Sequence, residues 1–279
     1  MSDVRWRLLL SGPATGAWNM AVDDALLQVV AAGSGIPTLR FYGWSPPCLS
    51  LGYFQPFDVV DVAACRARGV DIVRRPTGGR AILHDRELTY SLTLPASLLG
   101  EERAILPSYC RISRALQSGL RQLGVSTTLA AESAALLVGD HGPVCFDRAS
   151  AHEILLNGRK LVGSAQVRKA SALLQHGSIL IEPRIDALMA CLGFPAVAAS
   201  DRLADAVAGL AEVGLAETDP IAAAVATGVA EEFDASLIAG RLTAGEVAAA
   251  EELLACRYRS ADWTRRPLPS IAEKTTRTR

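Results

Sequence analysis

One cysteine in this sequence stands where a thiol could act as a nucleophile. Cys145 follows Gly142-Pro143 in the stretch GDHGPVCFDRAS, whose glycine, proline and aspartate residues favour turns. A cysteine attacks as the thiolate, which nearby cations stabilise. A loop cysteine can also be an incidental thiol, so the position of Cys145 alone leaves both interpretations open.

Lys160 lies in the stretch EILLNGRKLVG, where two extended runs meet at Asn157-Gly158. This pair favours the positive φ angles of a two-residue type I′ hairpin, which places Leu155 opposite Lys160 and Lys160 on the sheet face of Val162. A lysine on a buried face needs a partner or a ligand. On a solvated face it is an ordinary edge-strand charge, and the pattern alone favours that second interpretation.

The stretch RRPTGGRAILHD, residues 74–85, combines three arginines with two adjacent glycines. The glycines allow close backbone approach and the arginines suggest an anion, so the loop could hold a phosphate or offer a backbone platform to a different ligand. It matches neither G-x-x-x-x-G-K-[ST] nor G-x-G-x-x-G, and a plain tight turn explains the glycines equally well. His84-Asp85 could be a base with its orienting group, or a turn after a strand.

The composition limits the class of protein. Apolar residues make up 50%, charged residues 20%, and the net charge is −1, which is typical of a soluble globular protein and lacks the basic excess of a nucleic-acid binder. The three consecutive leucines near the N-terminus are too few for a signal peptide or a membrane helix. Six scattered cysteines, without C-x-x-C or zinc spacing, predict free thiols and no metal site. We expect a cytoplasmic monomer that binds neither nucleic acid nor membranes.

Residue periodicity predicts an α+β fold. Helices are expected over 19–33, with Asn19 as the N-cap, and over PSYCRISRALQSGLRQLGV, where apolar residues recur at steps of three and four. Strands are expected at TLRFYGW, CLSLGYF, DIVRR, ELTYSLTLP and ALLQHGSILIE, besides the Asn157-Gly158 hairpin. Two further helices are expected over 219–234 and 243–258, the second with Thr243 and Glu246 in capping-box positions.

These patterns divide the chain into three parts. We expect a catalytic domain over 1–195, a helical extension over 196–264, and a polar, proline-broken tail over 265–279 that is disordered.

Five stretches in a fixed order resemble the biotin/lipoate protein ligase superfamily, and within it most closely the LipM-type protein N-octanoyltransferases. They are WNMAVDDALL, RFYGWSPPCLSLGYFQ, RRPTGGRAILHDRELTYSL, CFDRASAHEILLNGRKLVGSAQVRK and LQHGSIL, and the match spans residues 5–182. The resemblance implies a catalytic domain of mixed β-sheets with flanking helices, as in biotin and lipoate protein ligases.

The resemblance also implies an activity. Enzymes of this type accept octanoate from octanoyl-acyl carrier protein on a cysteine, and pass it to a lysine of glycine cleavage H protein or of the lipoyl domains of 2-oxo-acid dehydrogenases. The resemblance places the nucleophile at Cys145 and the lysine that contacts the acyl carbonyl at Lys160. The implied substrate-binding residues are Arg75, Thr77, Gly78, Gly79, Arg80, His84, Gly163, Ser164 and Ala165. The resemblance implies no metal. It also implies no cofactor, since thioester exchange needs no ATP.

Other activities on the same fold stay open. ATP-dependent lipoate ligases usually have T-G-G-G where this chain has TGGR, so Arg80 counts against adenylation, and an acyl-adenylate route needs no thiol at Cys145. An octanoyl amidotransferase acting between lipoyl-accepting proteins also uses a cysteine and a lysine, and sequence separates it poorly from the transferase. A non-catalytic binder of lipoyl domains would have little reason to carry both Cys145 and Lys160.

Overall fold

The computed structural model describes residues 4–99, 104–130, 152–194 and 203–266, and Cys145 lies outside these ranges. The strands form a large mixed sheet of eight strands and a small sheet of three. They are β1 (Val4–Leu10), β2 (Thr38–Tyr42), β3 (Cys48–Leu51), β4 (Asp71–Arg74), β5 (Ile82–His84), β6 (Glu87–Pro95), β7 (Thr128–Leu129), β8 (Ile154–Leu156), β9 (Arg159–Lys169), β10 (Ala172–Leu180) and β11 (Ala235–Ala239).

Strand order is β11-β1-β2-β6-β10-β9-β8-β7 in the large sheet and β4-β3-β5 in the small one. The helices that pack on these sheets are α1 (Gly16–Ala31), α2 (Val62–Ala67), α3 (Ile105–Gln122), α4 (Ile185–Cys191), α5 (Thr218–Phe233), α6 (Ala244–Leu253) and α7 (Ala261–Arg265). The predicted α+β class is therefore confirmed.

The two faces of the large sheet carry different cores. Phe41 packs in a cluster with α3 and α5, whereas its neighbour Tyr42 packs in a cluster with α1 and α6. This alternation follows from the strand repeat of two residues, which sends successive side chains to opposite faces. Helices α3 and α5 approach each other closely at a glycine of α3, because a Cβ on Gly119 would lie 2.5 Å from the carbonyl oxygen of Ala224 in α5.

The first helix differs from its prediction at the N-terminus. It begins at Gly16, and the cap is Thr15, whose side chain accepts a hydrogen bond from the backbone N–H of Trp18. Asn19 is buried inside the helix, where its amide donates to the carbonyl oxygens of Ala14 and Gly43. The prediction of Asn19 as N-cap is wrong, because the residue ties the helix to the chain that follows β2.

The hairpin around Asn157-Gly158 is confirmed. The φ angles of these residues are 52° and 77°, as a type I′ turn requires, and Leu155 pairs with Lys160. The predicted helix in the 107–125 stretch is also confirmed as α3, which spans 105–122, and the two predicted C-terminal helices correspond to α5 and to α6 with the π turn Leu254–Tyr258.

The C-terminal region holds one strand that the sequence analysis did not predict. Residues of β11 pair in parallel with β1, from Val4 with Ala235 to Leu8 with Ala239. The division of the chain at residues 195 and 264 stays a prediction. Among the described residues, no helix combines the length and the apolar character needed to span a bilayer.

Candidate active site

A cavity lies where α1, the small sheet and the middle strands of the large sheet meet. It is partly open to solvent. Its walls combine apolar side chains with histidine, hydroxyl and backbone groups. The lining residues are Met20, Tyr42, Trp44, Arg75, Ile82, His84, Thr89, Gly163, Ala165, His176, Gly177 and Ser178.

Lys160 and Glu153 form a buried ion pair at the start of β9. The Nζ–Oε1 distance is 2.7 Å, and both side chains are 2% exposed. Strand β9 lies between β8 and β10, so Lys160 is on an inner strand of the sheet. The interpretation of Lys160 as an ordinary edge-strand charge is wrong. A buried ammonium group requires a compensating carboxylate, and Glu153, immediately before β8, supplies it across the hairpin.

The glycine loop is held from inside by Arg75. The buried guanidinium donates hydrogen bonds to the carbonyl oxygens of Gly78, at 2.8 Å, and Arg80, at 2.8 Å. It also donates to the carbonyl oxygen and the hydroxyl of Ser50, both at 3.1 Å. These contacts fix the curvature of the loop, and they favour the backbone platform over the phosphate cradle for this stretch.

The glycines of the loop permit a close crossing of two backbones. Gly79 has a φ of 91°, in the region that L side chains rarely adopt. A Cβ on Gly52, which follows β3, would lie 1.8 Å from the carbonyl oxygen of Gly79. The loop therefore lies directly against the residues that leave β3, and no side chain fits between them.

His84 is held by Glu87 rather than by its neighbour Asp85. Its Nδ1 lies 2.7 Å from Oε1 of Glu87, and its Nε2 lies 2.7 Å from the hydroxyl of Ser50. The ring stacks on Trp44, with centroids 4.0 Å apart. Asp85 lies instead 3.8 Å from Arg184, so the proposed role of Asp85 as the orienting group of His84 is wrong.

Glu87 is the centre of a buried hydrogen-bond network. It accepts from the hydroxyl of Thr89 at 2.6 Å and, at shorter range, from Ser178. Burial opposes ionisation of Glu87, but the charge and hydrogen bond of His84 outweigh it, and the pKa of the carboxyl is lowered.

A second histidine faces the cavity from β10. His176 Nε2 lies 2.7 Å from the hydroxyl of Thr77, and Nδ1 lies 3.0 Å from Oδ2 of Asp23 on α1. Burial lowers the pKa of His176, which keeps the ring neutral near pH 7. Burial opposes ionisation of Asp23 too, but the hydrogen bond from His176 and the charge of Arg40 lower its pKa.

Two hydrogen-bond networks beside the cavity have the order of a catalytic triad, but their hydroxyl groups are not accessible to a ligand. Ser50-His84-Glu87 and Thr77-His176-Asp23 each join a hydroxyl, an imidazole and a carboxylate. Both hydroxyl-bearing residues are 0% exposed, and among the described residues that line the cavity neither is present. The hydroxyls cannot attack a ligand there, so the networks fix the orientation and tautomer of each histidine.

Three residues of β9, in the stretch GSA, were predicted to bind substrate, and two of them lie in the cavity wall. Gly163 and Ala165 line the cavity, whereas the hydroxyl of Ser164 lies 2.7 Å from that of Tyr90. The strand repeat explains this difference, because Ser164 points to the other face. Opposite it, a Cβ on Gly177 would lie 2.6 Å from the Ser164 hydroxyl oxygen.

The structure thus brings together part of the predicted site. Of the predicted substrate-binding residues, those that line the cavity are Arg75, His84, Gly163 and Ala165, and those that lie in the layer behind it or in the loop are Thr77, Gly78, Gly79, Arg80 and Ser164. Sequence reasoning missed Asp23, Glu87 and Glu153, the three carboxylates that hold His176, His84 and Lys160. The catalytic roles of Lys160 and Cys145 stay predictions.

Known proteins resemble this chain over nearly its whole length. The lipoyl protein ligase A/B catalytic domain family model matches residues 15–220. The octanoyltransferase LipM of Kyrpidia tusciae is 43% identical over 272 residues, which cover 94% of this chain and 98% of that protein. The octanoyltransferase LipM of Moorella thermoacetica is 41% identical over 268 residues, with 94% and 98% covered.

Among solved structures, a lipoate-protein ligase A bound with ATP superposes with a TM-score of 0.79. It is 26% identical in sequence, and the match covers 94% of this chain and 98% of that one.

Proposed function

Because this chain belongs to the lipoyl protein ligase A/B catalytic domain family, we propose that it is an octanoyltransferase. Its donor is octanoyl-acyl carrier protein, and its acceptor is the lipoyl-accepting lysine of glycine cleavage H protein or of a lipoyl domain. Relatives named octanoyltransferase LipM are 41–43% identical over nearly the full length of both chains, which supports this assignment.

The observation that carries the proposal is the character of the cavity. Met20, Trp44 and Ile82 give it apolar walls, and the pKa of His176, lowered by burial, keeps that ring uncharged. Arg75 directs hydrogen bonds to the protein's own carbonyl groups. A cavity with these walls suits an alkyl chain, whose burial is favourable by about 0.8 kcal/mol for each methylene.

In the proposed first step, the thiolate of Cys145 attacks the carbonyl carbon of the octanoyl thioester. The tetrahedral intermediate collapses, the bond to the pantetheine sulfur breaks, and the released thiolate takes up a proton. The octanoyl group is then a thioester of Cys145. One thioester replaces another, so this exchange requires no ATP.

In the second step, the neutral amine of the acceptor lysine attacks the same carbonyl carbon. The bond to the Cys145 sulfur breaks, an amide forms, and the amine loses its proton to solvent as the thiolate is regenerated. Lys160 acts in both steps, by placing a positive charge near the carbonyl oxygen as negative charge develops there. Glu153 holds the ammonium at 2.7 Å, which fixes its position on an inner strand.

The test is to incubate the pure protein with octanoyl-acyl carrier protein and an apo H protein, with and without ATP. The proposal requires octanoylation of the H protein at the same rate in both. Transfer that depends on ATP and free octanoate would make the protein a ligase, the activity against which Arg80 counts because ligases usually have a third glycine at this position. Transfer only from an octanoylated H protein to a lipoyl domain would make it an amidotransferase.

A further inference from the structure

Residues 257–266, here named the C-terminal segment, lie beyond the part of the chain that the family model matches. The segment contains α7 and lies against β4, next to the glycine loop. We propose that the C-terminal segment positions the glycine loop, residues 75–80, for acyl binding through Arg74 and Trp263, a role that rests on the proposed octanoyl transfer.

Arg74 is the first link between the segment and the loop. Its side chain is buried, with the residue 1% exposed, and its hydrogen bonds to the described part of the chain all go to carbonyl oxygens. On one side the acceptor is Thr264 of the segment, at 2.9 Å. On the other side the acceptors are Gly52 and Gln55, both at 2.6 Å. One guanidinium therefore joins the segment to the turn that follows β3.

The turn formed by residues 52–55 contacts the glycine loop directly. Gly52 makes the close crossing with Gly79, where a Cβ would lie 1.8 Å from the carbonyl oxygen. The backbone N–H of Tyr53 donates to the carbonyl oxygen of Thr77 at 2.8 Å. Because no side chain separates these backbones, a displacement of the turn displaces the loop. Arg74 and Arg75 thus brace the same loop from opposite sides of β4.

Trp263 is the second link. Its indole N–H donates to the carbonyl oxygen of Arg74 at 3.0 Å. The indole ring lies 5.7 Å from the ring of Tyr53, and the guanidinium of Arg266 lies 3.6 Å from the centre of the Tyr53 ring. The segment therefore contacts both the backbone of β4 and the turn that supports the loop.

The segment is anchored at its other end to the helix that holds His176. Arg257 and Tyr258 both bind Asp24 of α1, at 2.5 Å and 3.0 Å. The preceding residue, Asp23, binds His176 in the cavity wall. The segment consequently connects α1, which contributes Met20 to the cavity wall, with β4, which directly precedes Arg75 of that wall.

A purely structural role predicts a loss of stability alone, so the test separates stability from acyl binding. Trp263→Phe removes the indole N–H and keeps an aromatic ring. Thr264→Ala is the matched control, because the acceptor at this position is the backbone carbonyl. Leu253→Ala, in the core between α6 and α1, is the control for stability, since it opens a cavity there without a hydrogen bond to the loop.

The measurement is single-turnover acylation of each protein by octanoyl-acyl carrier protein over a range of donor concentrations, well below each melting temperature. For Trp263→Phe we expect the half-saturating donor concentration to rise about threefold to tenfold, the equivalent of one hydrogen bond. Amide hydrogen exchange of residues 75–80 should also become faster. Both controls should retain wild-type half-saturation and loop exchange, although Leu253→Ala melts at a lower temperature.

Unchanged half-saturation and loop exchange in Trp263→Phe would overturn the inference, as would an equal change in Leu253→Ala. Absence of acylation in the wild-type protein is a different result, and it would overturn the proposed function instead.

Discussion

The ammonium of Lys160 and the carboxylate of Glu153 are joined at 2.7 Å across a hairpin whose turn is Asn157-Gly158. Both side chains are almost completely buried, and neither charge is stable there without the other. The pair therefore gives Lys160 a fixed position on an inner strand, which a catalytic cation needs. A surface lysine would lack that constraint, because its flexible side chain occupies many rotamers.

Breaking the pair from the carboxylate side should destabilise the protein. Glu153→Leu leaves the buried ammonium uncompensated, and the expected loss is about 3–5 kcal/mol in the free energy of unfolding. Replacing both partners, as Glu153→Leu with Lys160→Met, should recover most of that stability but no octanoyl transfer. Urea unfolding and the transfer assay on the three proteins check this. A double variant that is as unstable as Glu153→Leu would contradict the account of the pair.

Removing the lysine side chain should slow transfer, and because it also leaves the Glu153 carboxylate buried without its cation it should lower stability, so activity is compared well below the melting temperature of each protein. Lys160→Ala deletes a charge placed near the developing oxyanion, a loss that typically slows catalysis about a hundredfold to a thousandfold. Its reactive thiol should also alkylate more slowly near neutral pH, since a nearby positive charge favours the thiolate. Lys160→Arg should restore activity only in part, because the guanidinium is longer and planar.

Lys169 is the matched control for this experiment, as an exposed lysine at the far end of the same strand. Lys169→Ala should retain wild-type transfer. Full activity in both alanine variants would contradict a catalytic role for Lys160.

The chain length of the acyl group should depend on the apolar wall of the cavity. Met20 is buried and lines it, so Met20→Ala lengthens the available space and should raise the rate with decanoyl relative to octanoyl donor. Each methylene that becomes buried is worth about 0.8 kcal/mol, or roughly fourfold in kcat/KM. Met189→Ala, in a separate core cluster, should lose similar stability without a change in this preference. Equal preferences in the two variants would place the acyl chain elsewhere.

Stability should fall at mildly acidic pH because of His176. Burial lowers the pKa of this histidine below its ordinary value of 6.5, so the unfolded chain binds the proton more readily than the folded one. The stabilising contribution is complete above pH 6.5 and declines as the pH falls below it, by at most about 1.4 kcal/mol for each pH unit. In His176→Gln this decline should be absent. Urea unfolding of both proteins at pH 7 and pH 5 measures it, and parallel declines would rule out His176 as the source.

The local parts of this fold could be predicted from the sequence. Asn157-Gly158 determines the hairpin register through two φ angles, and the apolar repeat of α3 defines its buried face. Strand β11 could not be predicted, because its five residues join two helices and gain their strand conformation by pairing with β1, far away in sequence. Helix α1 is buried on nearly all sides, so it lacks the polar face that reveals which residues point inward.

The candidate site was predictable in its motifs but not in its pairings. The carboxylates that hold the side chains of the candidate site come from other parts of the chain: Asp23 lies 153 positions from His176, and Glu153 faces Lys160 only through the hairpin. Arg75 illustrates the same limit. Its sequence setting suggested an anion ligand, whereas the fold directs its guanidinium to the carbonyl oxygens of its own loop.

The most direct test of the central claim is the intact mass of the protein after mixing with octanoyl-acyl carrier protein. We predict one octanoyl adduct that hydroxylamine removes, as a thioester requires, and that is absent from Cys145→Ala. Cys256→Ala is the matched control, because Cys256 is an exposed thiol and its removal should leave the adduct unchanged. An adduct of equal yield on Cys145→Ala, or none on the wild-type protein, would contradict transfer through a cysteine thioester at Cys145.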